Sequence, residues 1–307
     1  MRLCRFEQNS EAHFGFYTED AIGPLSNFVQ KSERDILTAE SLVDLLPGGK
    51  YYDLVISMES RVSEDLIQRD GFKLEDVQLL VPIPNPSKLL LLAGNYAKHV
   101  EESGGRAEER EKTFPYVFMK PPSTTLTNPG DPVRIPACSP DQIDWELELG
   151  VVIGTRCSGV TEEKALNFVA GYTVVNDISD RAFRPNPQRA ERSRDPFFDW
   201  LHGKWHDTFC PMGPCILPAS DFEDPQNFQM QLHVNGQIEQ DSSTAEMVFP
   251  VAAVVSFISN FVTLEPGDII STGTPAGVGK AKGRFLKAGD TLTAKIEGIG
   301  VLENPVV

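Results

Sequence analysis

The stretch Asp144-Trp145-Glu146-Leu147-Glu148-Leu149 runs without a break into the apolar Gly150-Val151-Val152-Ile153-Gly154. A short apolar run bounded by glycine predicts a buried strand. Side chains alternate across a strand, so Glu146 and Glu148 share one face, with Asp144 on the same side, while Trp145, Leu147 and Leu149 pack the other. Same-face neighbours stand about 7 Å apart. In a low-dielectric site two carboxylates this close raise each other's pKa until one takes a proton. A cation removes the conflict. A second buried strand, Tyr172-Thr173-Val174-Val175, ends at Asn176-Asp177 and offers a third carboxylate. Three oxygen donors of this kind select a hard divalent ion, Mg²⁺ with Mn²⁺ or Ca²⁺ as alternatives, over zinc or copper. The plainer reading of an isolated E-x-E is the polar outer face of an antiparallel edge strand.

Other residues speak against that plainer reading. Leu89 to Ala93 reads as a buried strand leaving through Gly94, and His99 follows with Glu102 three residues later. Positions i and i+3 meet on one helical turn, so Glu102 is placed to orient His99, the arrangement of a water-activating base. Arg181, four residues past Asp177, and Lys204 supply positive charge suited to a carboxylate. The rival motifs fail. Lys280 in the glycine-rich run 273–280 is followed by Ala281, so the phosphate-loop pattern is not met, and no G-x-S-x-G nucleophile elbow is present. Cys210 and Cys215 flank a rigid Pro-Met-Gly-Pro segment and read as small buried residues.

The rest of the chain frames these residues. Three prolines in alternate positions, Pro82, Pro84 and Pro86, mark a stiff connector. The domain boundary is placed there, with a small accessory unit over 1–80 and the chemistry in 81–307. In the first unit, strand-like pieces (MRLCRF, HFGFYT, AIGPL) precede helical patterns at Ala39 to Leu46 and Leu54 to Val62. In the second, strand-like alternation dominates, Asn235-Gly236 signals a tight hairpin, and helices are expected only at Thr161 to Val169 and Phe249 to Phe261. The fold class expected is therefore α+β, mainly β. The formal charge of −16 argues against nucleic acid or an anionic membrane surface as partner, because a polyanion is repelled at long range. Five cysteines without a C-x-x-C pair suit a reducing cytoplasm, and no apolar run approaches the roughly 20 residues of a membrane span.

Six ordered stretches, LLLLAGNYAKHVEE, FMKPPSTTL, IDWELELGVVIG, GYTVVNDISDR, HGKWHDTFCPMGP and PGDIISTGTPAGVG, resemble the fumarylacetoacetate hydrolase family over about residues 88 to 307. The resemblance implies a mixed β-roll catalytic domain, with residues 1–80 similar to the accessory N-terminal α/β domain of some members. It further implies a divalent ion on Glu146, Glu148 and Asp177 and a water-activating pair on His99 and Glu102. Lys204 falls among the catalytic residues, and Lys120, Arg181 and Thr274 among those near or in contact with substrate. Asp144 matches no role in the family pattern. The segment between Arg181 and Lys204 departs from the pattern in being longer and more basic, which unsettles any transfer of substrate.

The resemblance implies hydrolysis of a carbon–carbon bond in a β-diketo or 2-oxo acid. Decarboxylation, isomerisation and lyase chemistry on the same site are the alternatives, and a non-catalytic dicarboxylate-binding module is the reading from another class. The partner expected is a small 2-oxo or diketo acid, and the family implies a homodimer. The charged segment Glu101 to Lys112, with Gly104 and Gly105 as hinge, is expected to close over the site as a lid.

Overall fold

The computed structural model describes residues 1–102, 104–106 and 110–307. Three neighbouring strands, Leu147–Ile153, Val169–Asn176 and Cys210–Pro218, have every residue buried. Burial on both faces is why they read as near-continuous apolar runs instead of alternating ones. The E-x-E pair therefore sits at the start of a central strand, and the edge-strand reading fails.

These strands belong to a twelve-stranded sheet. Its path runs Phe72–Lys73, Ala21–Pro24, Glu11–Tyr17, Leu3–Gln8, Cys210–Pro218, Val169–Asn176, Leu147–Ile153, Ile269–Ser271, Leu89–Ala93, Tyr116–Met119; off it, Gln78–Leu80 pairs with Leu3–Gln8 and Leu126–Thr127 with Cys210–Pro218. Neighbours on that path are antiparallel except Ile269–Ser271 with Leu89–Ala93, which is parallel. The sheet thus continues into the first 80 residues through the pair Leu3 and Ile216. A separate four-stranded sheet, ordered Gln237–Ser243, Gln229–Val234, Thr291–Ile296, Gly300–Pro305, supplies a second layer.

The two faces of the central sheet feed two cores. On one, Leu147, Leu149, Val151, Tyr172, Val174 and Leu90 pack against Met230, Leu232, Leu292 and Ala294 of the smaller sheet and Val254 and Ile258 of the helix Val251–Ser259. On the other, Val152, Val175, Leu89, Leu91 and Ile269 are covered by Leu42, Leu45, Val55, Met58 and Ile67 from the N-terminal segment. The residues before position 81 thus seal the second face of the strands that carry the acids.

Local expectations hold with adjustments that have physical causes. The Phe249 to Phe261 pattern narrows to Val251–Ser259, starting directly after Pro250, whose fixed φ suits a helix start. The Thr161 to Val169 pattern is one α turn, Glu162–Ala165, passing into a 3₁₀ turn, Leu166–Phe168. Ala39 to Leu46 shrinks to a 3₁₀ turn at Leu42–Leu45, closed by reciprocal capping between Ser41 and Asp44. Leu54 to Val62 appears as a helix over Tyr52–Glu59. Asn235 and Gly236 both take positive φ, 53° and 78°, as the hairpin signature requires.

Leu149 is fully buried at the centre of the acid-bearing strand. Leu149→Ala is expected to lower stability by about 2–5 kcal/mol, measured as the urea midpoint at unchanged slope.

Candidate metal centre

Glu146, Glu148 and Asp177 converge as strand chemistry and register dictate. Leu147 opposes Asn176 and Glu148 opposes Val175 on adjacent antiparallel strands, which brings Asp177, just past its strand, beside Glu146. The Asp177 N–H donates to the Glu146 carbonyl at 2.8 Å, fixing that proximity. One carboxylate oxygen from each of the three acids lies within 4.8 Å of the others, and all three residues are buried.

Cations surround the cluster. Lys204 Nζ donates to Glu146 Oε2 at 2.7 Å and to Asp177 Oδ2 at 2.6 Å. Arg181 bridges Asp144 Oδ2, at 2.9 Å, and Glu146 Oε1. Lys120 donates to the carbonyls of Ile178 at 2.9 Å and Phe209 at 2.5 Å and forms an ion pair with Asp177 Oδ1. That last contact is close but outside hydrogen-bond geometry, so Asp177 Oδ1 makes no hydrogen bond.

Four buried carboxylates, Asp144 included, thus face three cations. Glu148 is the acid left over. Its Oε2 accepts from Ser271 Oγ at 2.6 Å and from the Gly273 N–H at 2.9 Å, while its Oε1 is buried with no hydrogen-bond partner. Burial, reinforced by the charges of Asp177 and Glu146, pushes the Glu148 carboxyl well above the usual range. Glu146 goes the other way: burial opposes its ionisation, but Lys204, Arg181 and His99 together hold it below the usual range. An orphaned buried oxygen, a carboxyl that resists ionisation and an all-oxygen donor set fit a hard divalent cation, which would satisfy the first and reverse the second.

The His–Glu pair stands beside this cluster. Glu102 Oε1 lies 2.9 Å from His99 Nδ1 and Glu102 Oε2 accepts from the Gly277 N–H at 2.8 Å. A carboxylate can only accept, so Nδ1 carries its proton toward Glu102 and Nε2 is left as the basic nitrogen. Gly277 has φ of 105°, and a Cβ there would lie 2.2 Å from the Glu239 carbonyl, so the loop that fixes Glu102 requires glycine. Ser103 and residues 107–109 of the expected lid lie outside the described residues.

The residues read as substrate contacts are placed in the same region with their polar atoms engaged by protein. Thr274 Oγ1 donates to the Leu147 carbonyl at 3.0 Å and accepts from Gln240 Nε2 at 2.8 Å. Arg181 and Lys120 are held by the acids and carbonyls of the cluster. Sequence reasoning missed the anchors. Asp144, which matches no role in the family pattern, accepts from the N–H groups of Gly279, at 2.6 Å, and Lys280, at 3.1 Å, and takes Arg181, so it ties the acidic strand to the 273–280 loop. Its spacing of two from Glu146 was the available signal. Gln240, which accepts from the Leu147 N–H at 2.9 Å, arrives from the distant hairpin, and no local signal marks it.

Comparison with known proteins adds to this geometry. A family profile described as fumarylacetoacetate (FAA) hydrolase C-terminal matches residues 88–307. The chain belongs to the fumarylacetoacetate hydrolase family. Among relatives of this family, it is 39% identical over 234 residues to the mitochondrial oxaloacetate tautomerase fahd2 of Xenopus laevis, covering 76% of this chain and 69% of that protein. It is 36% identical over 312 residues to the 2,4-didehydro-3-deoxy-L-rhamnonate hydrolase of a Sphingomonas species, covering 100% of this chain and 96% of that one. Maleylpyruvate hydrolase from Sphingobium sp. SYK-6, solved in complex with manganese(II) and pyruvate, superposes with a TM-score of 0.74 at 27% identity over 100% of this chain and 99% of that one. Family members thus include hydrolases and tautomerases.

Burial makes the Glu148 carboxyl harder to ionise, and a divalent ion needs it ionised, so ion affinity is expected to rise with pH. Thermal or urea unfolding with Mn²⁺ or Mg²⁺ at a hundred times Kd is expected to show stabilisation of about 2.7 kcal/mol, larger at pH 8 than at pH 5.5. Glu148→Gln is expected to abolish the gain, and a shift that survives in that variant would place the ion elsewhere.

Proposed function

We propose that this chain is a divalent-metal-dependent enzyme that hydrolyses a carbon–carbon bond of a β-diketo or 2-oxo acid of the acylpyruvate or fumarylacetoacetate-like type, with Mg²⁺ or Mn²⁺ as its ion. The observation that carries the reading is the His99–Glu102 pair, whose Glu102 is itself anchored by the Gly277 N–H. A binding module has no need of an oriented base beside its ion site.

Glu146, Glu148 and Asp177 would hold the ion, which when bound supplies Lewis-acid polarisation of the 2-oxo carbonyl and a counter-charge for the oxygen that turns negative as the bond breaks. Glu102 holds the His99 Nδ1–H and so directs Nε2 to take a proton from water. The hydroxide adds to the distal carbonyl carbon, and the bond to the adjacent carbon breaks. Its electron pair stays on the 2-oxo fragment, which takes up the proton from His99 and leaves beside a carboxylic acid. Lys204, fixed between Glu146 and Asp177, holds both carboxylates in place.

A second reading, keto–enol tautomerisation of oxaloacetate, is favoured by the activity named for the Xenopus relative. It uses the same proton carrier without adding water. Acylpyruvates supplied with Mn²⁺ or Mg²⁺ separate the two, followed by loss of diketone absorbance and release of free acid. His99→Ala is expected to lower kcat for hydrolysis about 10²- to 10⁴-fold with the Mn²⁺-induced stabilisation retained. Unchanged hydrolysis in that variant would remove His99 as the base. Oxaloacetate enol decay without any acid release from acylpyruvates would establish the tautomerase instead.

A further inference from the structure

A 2-oxo acid seated at the carboxylate cluster, as the proposed function requires, must place its far end somewhere, and the site of that far end rests on the same reading. A cavity of about 670 Å³ opens beside the cluster, within the range of about 300–1,000 Å³ usual for small-molecule sites. Three of its walls lead back to the acids. Arg181 lines it and holds Glu146 and Asp144. Trp200 lines it, and its ring centroid lies 5.9 Å from Lys204 Nζ. Lys280 lines it, and its N–H donates to Asp144 Oδ2.

The other walls come from the long basic segment after Arg181, and its charge is neutralised internally. Arg184 pairs with Glu191 at 2.9 Å, Arg192 with Asp195 at 2.9 Å, and Arg189 with Asp195 at 3.2 Å and with Asp199. Asp180, the remaining acid of the lining, takes His206 at 3.0 Å. Among the described residues, every cation of the cavity wall is thus paired with a carboxylate except one. Lys280 is exposed, and its ammonium has no carboxylate partner among the described residues.

We propose that Lys280 is a specificity-determining residue that binds a second carboxylate at the distal end of the substrate, so that the enzyme prefers dicarboxylic 2-oxo acids to monocarboxylic ones of equal length. An unmatched ammonium at the rim of the cavity, one side-chain length from the loop fixed on Asp144, attracts an anion that a methyl terminus does not offer. The basic look of the segment in the sequence is misleading on this point: its arginines are held by acids of the wall, and Lys280, in the helical turn Gly279–Lys282, carries the unpaired charge.

The test is calorimetric binding of 2-oxoadipate and 2-oxohexanoate, both six carbons long, to the Mn²⁺-loaded protein. The wild type is expected to bind the diacid at least about fivefold tighter. Lys280→Gln is expected to bring the two within about twofold by weakening the diacid alone, and Lys280→Arg to retain the preference. Equal affinities in the wild type, a preference that survives in Lys280→Gln, or no binding of either acid would each overturn the proposal. Neither compound has a second carbonyl to cleave, so the result is independent of turnover. A Lys280-dependent preference in a protein that cleaves no acylpyruvate would leave this inference standing and remove the hydrolase reading.

Discussion

The structure is organised around the cost of burying negative charge. Asp144, Glu146, Glu148 and Asp177 lie together at the end of strands buried on both faces, where an isolated carboxylate costs several kcal/mol. Arg181, Lys120 and Lys204 offset three of the four charges and must reach the cluster from separate parts of the chain. The fourth acid, Glu148, has no cation of its own and is met by the Ser271 hydroxyl and the Gly273 N–H on one oxygen only. That imbalance is what makes the site fit for a dication instead of a closed structural ion-pair network.

Other features serve the same requirement. The N-terminal segment covers the second face of the central sheet, so the strand that carries the acids is buried on both sides. The 273–280 loop gathers contacts from both ends of the site: Gly273 holds Glu148, Gly277 holds Glu102, and Gly279 and Lys280 hold Asp144. One loop therefore sets the acids, the His–Glu pair and the cavity rim relative to each other.

Much of this was legible in the sequence because it is carried by local pattern. An E-x-E running into apolar residues, an aspartate ending a second apolar run, and a histidine with glutamate three positions on each declare themselves within a few residues, and the structure brings the three acids together and pairs the histidine with its glutamate. Hairpin and helix starts at Asn235-Gly236 and Pro250 were readable for the same reason. Less legible were the pairings between distant segments. Asp144 looked idle because its partners, Arg181 and the 279–280 backbone, lie 37 or more residues away. Gln240 reaches Leu147 across 93 residues, and the basic segment looked like free charge because composition does not reveal which arginine meets which acid.

The sequence by itself determined that a strand carrying two acids on one face enters the core near a third acid and a His–Glu turn. It did so because side-chain alternation and helical spacing are properties of the local backbone. Only the tertiary structure decided that the strand is central and sealed on both sides, that three cations face four acids and leave Glu148 Oε1 without a partner, and that, among the described residues, Lys280 is the one cation lining the cavity that no carboxylate pairs. Those outcomes depend on distances between residues far apart in the chain, which the packing of the sheet layers sets and no local pattern encodes.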